Sequence, residues 1–89
     1  MKVKLELFGA SREFSNKDHL EFNLKKKISI KDFRKEIINY LHQNFKGNEN
    51  FKQIIETSAF CSEDNNIIND NYKITKDQKI GIIPPIGGG

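Results

Sequence analysis

The chain of 89 residues contains one cysteine, Cys61, so neither an internal disulfide nor a cysteine-cluster metal site can form. Its two histidines, His19 and His42, lie far apart in sequence, and neither has ligand spacing around it. No apolar run approaches the roughly 18 residues that would mark a membrane span. The opening Met1-Lys2-Val3-Lys4 alternates charge with apolar side chains and does not resemble a signal peptide. Arginine is scarce, with 2 against 13 lysines, although the chain carries a net charge of +3. The excess of positive charge lies in residues 1–46, yet arginine and interleaved exposed aromatics, which base readout and stacking favour, are missing. Lys25-Lys26-Lys27 therefore reads as a solvated turn. The length allows one core only. These exclusions leave a single cytoplasmic domain with no membrane and no nucleic-acid partner.

The elements that are present begin with a period-two strand. Val3, Leu5 and Leu7 alternate with Lys2, Lys4 and Glu6, the pattern of a half-buried strand. Gly9 ends it, and Ser11 to Asp18 reads as a polar connection. Leu20, Phe22 and Leu24 form a second inward set, with Glu21 and Asn23 outward, so the two strands are expected to pair as an antiparallel hairpin. Ser29 is a helix cap with Asp32 three residues on, and Ile28 and Phe33 have the spacing of a hydrophobic staple. Ile30, Phe33, Ile37 and Leu41 then trace one helical stripe over about residues 30–45, with Gly47 as the stop.

Phe51, Ile54 and Ile55 predict a short second helix. Ala59-Phe60-Cys61 and Ile67-Ile68 predict brief strands, and Ile74 to Gln78 reads as a loop feeding a last strand, Lys79 to Ile83. The whole is an α+β domain, a mixed sheet of four to five strands with one long helix across one face. The last strand is expected beside the first and parallel to it.

The side chains offer no nucleophilic triad, phosphate loop or metal constellation. Cys61 reads as packing in a short apolar strand, His42 and His19 as boundary residues, and Glu63-Asp64 as a solvated turn. The distinctive feature is Pro84-Pro85-Ile86-Gly87-Gly88-Gly89. Pro84 ends the strand and the proline pair favours a stiff, extended exit. The four residues after Pro85 reach about 13–14 Å when extended. Glycines in that stretch can thread a channel too narrow for a side chain. A frayed end is the competing reading.

Ile80-Gly81-Ile82-Ile83-Pro84-Pro85-Ile86-Gly87-Gly88-Gly89 resembles the C-terminal signature of the molybdopterin synthase small subunit. Leu7-Phe8-Gly9-Ala10 with Arg12-Glu13 resembles that family's first strand and the segment after it. The chain departs from the pattern at Phe60-Cys61 and Asp77-Gln78, away from the tail. The resemblance implies a ubiquitin-like β-grasp domain over 1–85 with a Gly-rich tail at 86–89. It implies that the Gly89 carboxylate is the reactive group and that Gly87 and Gly88 thread a partner. An ATP-dependent activating enzyme would adenylate Gly89, and a sulfur donor would convert it to a thiocarboxylate. The synthase large subunit would then accept the sulfur for a pterin precursor. No cofactor would be bound by the chain itself; ATP would be used by the activating enzyme.

Related carriers for thiamine or tRNA thiolation, a protein modifier and a ubiquitin-like binding module without acyl chemistry are the rival readings. Strand alternation places Phe8 and Ile83 on the sheet face away from the helix, near the tail. Pro84, Pro85 and Ile86 are expected to continue that partner-binding surface.

Overall fold

The computed structural model describes residues 1–46 and 48–85. Gly47, expected to stop the long helix, and the tail residues Ile86, Gly87, Gly88 and Gly89 lie outside the described residues.

The strand β1 (Lys2–Leu7) buries Val3, Leu5 and Leu7, as its alternation requires. It pairs antiparallel with β2 (His19–Asn23), Val3 opposite Phe22 and Leu5 opposite Leu20. The stretch between them is more ordered than its polar composition implies. Gly9–Phe14 forms a 3-10 helix and buries Phe14. The Phe14 ring lies 4.9 Å from that of Phe51, which in turn lies 5.0 Å from Phe45, so this connection is held by an aromatic cluster.

The short strand β3 (Ile28–Ser29) leads directly into helix α1 (Ile30–Asn44). Ser29 caps the helix by accepting a hydrogen bond from the Asp32 backbone N–H at 3.2 Å. Ile30, Phe33, Ile37 and Leu41 form its buried stripe. Phe33 reaches Phe22 and Phe60, with ring centroids 5.4 and 6.3 Å away, which sets the helix against the sheet. Beyond the helix end, Lys46 itself adopts the left-handed conformation (φ 55°).

Helix α2 (Glu49–Thr57) is followed by β4 (Ala59–Cys61), β5 (Ile67–Ile68), β6 (Lys73–Ile74) and β7 (Gln78–Ile83). The main sheet runs β2-β1-β7-β4-β5, with β7 parallel to β1 as expected. One detail corrects the sequence reading. Ile74 belongs to a strand, because Lys73–Ile74 pairs with Ile28–Ser29 in a separate two-stranded sheet, and the last strand begins at Gln78. Glu63 lies in the exposed turn that the sequence predicts, and its Oε1 accepts from the Lys79 N–H at 2.7 Å, where β4 no longer reaches β7.

Arg34 fastens the second helix to the first. Its Nη1 donates to the carbonyls of Ile55 and Ser58, each at 2.7 Å, and its Nε donates to Asp70 at 3.0 Å. The guanidinium lies 4.7 Å from the Phe60 ring centroid. Asp70 is half exposed, so the ion pair contributes little and the carbonyl bonds dominate. Arg34→Ala is expected to cost about 2 kcal/mol, the scale of charged hydrogen bonds lost from part-buried acceptors. In a domain of this size that lowers the melting temperature by about 10 °C in a thermal unfolding scan. Arg34→Lys should recover little of it, since an ammonium cannot reproduce the fork.

Candidate functional site

The helix-free face of the main sheet is divided in two. Cross-strand partners share a face, so the register places Gly81, Cys61 and Ile67 in one row and Ile83 with Ala59 in the next. Phe8 continues the β1 alternation, extended at φ −124° and ψ 153°, and points to the side opposite Leu7. Toward the other end the face is charged, with Lys2, Lys4, Glu21 and Lys79, and the Lys79 Nζ lies 3.3 Å from Glu6.

Phe8 is held in place by Ser11. Its N–H donates to Ser11 Oγ at 2.9 Å, and Ser11 Oγ–H donates to the Phe8 carbonyl at 2.6 Å. Ser11 is fully buried, so the turn after β1 is locked from within. A Cβ built on Gly81 would lie 2.7 Å from Cys61 Sγ and 3.2 Å from Phe8 Cε2. Gly81, Cys61 and Phe8 are therefore stacked as a unit, and only glycine fits at position 81 without displacing its neighbours. Cys61 is buried beneath this layer, which agrees with a packing role.

Phe8 is 45% exposed, Ile67 67% and Ile83 37%, and these are the exposed large apolar residues among the described positions. All three emerge from the same end of the same face. Scattered apolar exposure is ordinary, whereas these three side chains share one face of the sheet. Phe8 and Ile83 stand where alternation put them. Ile67 was missed, because its face is decided by the pairing of β5 with β4.

The exit of the chain lies beside the patch. Pro84 is buried and Pro85 is exposed. A Cβ on Gly9 would sit 3.8 Å from Pro84 Cγ, and Gly9 itself has φ +55°, so a left-handed glycine forms the seat for the proline. Pro84, expected on the partner surface, thus packs inward and fixes where the tail leaves. Ile86, Gly87, Gly88 and Gly89 are the remaining predicted site residues, outside the described region.

Side-chain chemistry elsewhere is sparse. Among the described residues no group of three or more His, Cys, Asp or Glu could hold a metal ion. None of their buried side-chain polar atoms lacks a hydrogen-bond partner. His19 Nδ1–H donates to Asp18 at 3.0 Å and holds that carboxyl below its usual range, at an exposed position. No helix among the described residues is long and apolar enough to cross a membrane.

No family model matches the sequence, and no curated protein matches it. Solved structures do. A protein described as molybdopterin converting factor, subunit 1, from Pyrococcus furiosus superposes with a TM-score of 0.67 at 20% identity, covering 96% of this chain and 98% of its own. SAMP1 from Haloferax volcanii superposes with a TM-score of 0.68 at 11% identity over 100% of both chains. The fold is the ubiquitin-like β-grasp. The resemblance drawn from the C-terminal motif is thereby matched at the level of architecture, over nearly the full length.

Proposed function

We propose that this chain is a sulfur carrier whose Gly89 carboxylate is the working group, acting in the cytoplasm as the small subunit of molybdopterin synthase. The observation that carries this reading is the seat of the tail. In sequence, Ile86-Gly87-Gly88-Gly89 comes just after a buried Pro84 that is seated on Gly9, and the exposed Phe8 and Ile83 are the chain neighbours of Gly9 and Pro84. An apolar patch at the point where the described chain leaves the sheet, followed in sequence by three glycines, suits a protein that presents its own terminus to a partner's active site. The description of the Pyrococcus structure as a molybdopterin converting factor favours this branch.

The chemistry needs no acid or base from the carrier. A carboxylate is a poor acyl donor, so the activating enzyme would join the Gly89 carboxylate to the AMP moiety of ATP, releasing pyrophosphate. Sulfide-level sulfur from the donor, as hydrosulfide, then attacks the acyl carbon and displaces AMP, leaving a thiocarboxylate. In the large subunit the thiocarboxylate sulfur would bond to a carbon of the pterin precursor and displace an oxygen substituent there, and water would then cleave the thioester at the Gly89 acyl carbon, leaving the sulfur on the precursor and restoring the carboxylate for another round. The carrier supplies binding energy through its patch and reach through its tail, and these position the reacting atom.

Gly88→Val tests the threading step. It restricts φ and adds bulk in the proposed channel, while stability should change by no more than about 0.5 kcal/mol, as at an ordinary surface site. Pyrophosphate release dependent on this chain should occur with the wild type and fall sharply with the variant. Equal release from both would contradict a channel that grips the tail.

A further inference from the structure

The outer edge of β2 lies at the far side of the sheet from β5 and carries unused hydrogen-bonding capacity. Leu24 N–H donates to the Met1 carbonyl and Leu7 N–H to the Asp18 carbonyl, at 2.7 and 2.9 Å. The antiparallel alternation then turns the backbone groups of Asp18, Leu20, Phe22 and Leu24 toward β1 and those of His19, Glu21 and Asn23 outward. Among the described residues no other strand pairs with this edge. Beside it, between β2 and the C-terminal half of α1, runs an open groove of about 560 Å³ lined by the aromatic Phe14, Tyr40 and Phe45 and by polar side chains that include Lys17, His19 and Glu21. An outward ladder at two-residue spacing next to a groove of mixed aromatic and polar lining has the form that an added strand requires.

We propose that this edge binds an extended peptide segment of a partner protein, as an added antiparallel strand. Charge selects the occupant. A second copy using the whole of β2 in the symmetric register would set Glu21 directly opposite Glu21, which is unfavourable. Glu21 instead calls for a basic residue across from it, and the exposed Lys25-Lys26-Lys27 just past the strand calls for acidic residues at that end of the peptide. The alternate side chains, turned to the α1 side, are apolar, and the one opposite Leu20 enters the groove beside Tyr40 and Phe45. The site is independent of the sulfur-carrier reading. The edge lies on β2, whereas Ile83 and Ile67 lie on β7 and β5, across β1 in the sheet order.

The probe is the capped peptide Asp-Asp-Val-Thr-Val-Lys-Val, titrated into the isotope-labelled full chain and followed by NMR. Resonance shifts are expected at β2, Tyr40 and Phe45, with slowed exchange of the His19, Glu21 and Asn23 amides. Glu21→Lys, a change at an exposed position, should weaken binding at least about fivefold, and glutamate in place of the peptide lysine should restore it. A peptide N-methylated on its ladder-forming amides should not bind. The proposal is overturned by shifts centred on Phe8 and Ile83, by equal binding of the N-methylated peptide, or by no shifts at millimolar peptide. It is equally overturned if β2 shifts with protein concentration alone, which would assign the edge to a second copy of the chain.

Discussion

Adding one alanine after Gly89, or deleting Gly89, is expected to lower thiocarboxylation by at least about 100-fold while leaving the unfolding midpoint in place. The size of the effect follows from geometry. One residue more or less moves the terminal carboxylate by about 3.5 Å along an extended chain. A displacement of only ~1 Å in a reacting group can cost 100-fold. The alanine also brings a Cβ into a stretch that is otherwise glycine. Stability should be spared, because the buried core closes with Ile80 and Ile82 and Pro84 already anchors the exit against Gly9. Rates of thiocarboxylate formation for the three chains, read beside urea unfolding curves, check this. Wild-type rates for the extended chain would remove Gly89 from the chemistry.

Phe8→Glu or Ile83→Glu should weaken binding to the synthase large subunit or the activating enzyme by at least ~2 kcal/mol, the usual loss at an interface anchor. That is about 30-fold in Kd, readable by titration calorimetry. Phe8 is the stronger candidate for an anchor, since Ser11 fixes its backbone on both sides and little ordering remains to be lost on binding. Both side chains lie outside the core, so the variants should fold. Ile67→Glu should act in the same direction, because Ile67 lies in the row of Gly81 and Cys61 that Phe8 covers. Normal binding by all three variants would move the docking surface elsewhere. Unfolding of the Phe8 or Ile83 variant would show that the patch is structural.

The sequence carried the parts of this fold that are written in periodicity. The alternation in β1 and β2, the Ser29 cap and the α1 stripe follow from residue spacing, and the parallel placement of β7 follows from the handedness of crossover connections. Phe8 and Ile83 could be assigned to the open face for the same reason. The 3-10 helix escaped because its determinant is not a pattern but one side chain, Ser11, bonded in both directions to Phe8 and buried. The β3–β6 pair escaped because two residues are too few to show a period and their partners are far apart in sequence. Arg34 lies off the apolar stripe of α1 and carries no signal in the sequence, because its targets are carbonyls at the end of α2 and only the packing of the two helices brings them within reach. Ile67 escaped for a related reason, since neither neighbour in sequence reveals which face a two-residue strand presents.

The central claim, that the chain end carries sulfur, is tested most directly by intact mass after co-expression with the activating enzyme and a sulfur source. The account predicts a gain of about 16 mass units, sulfur replacing oxygen at the terminal carboxylate, located on the fragment that contains Gly89. An unchanged mass, under conditions where the same enzyme charges a known carrier, would contradict it.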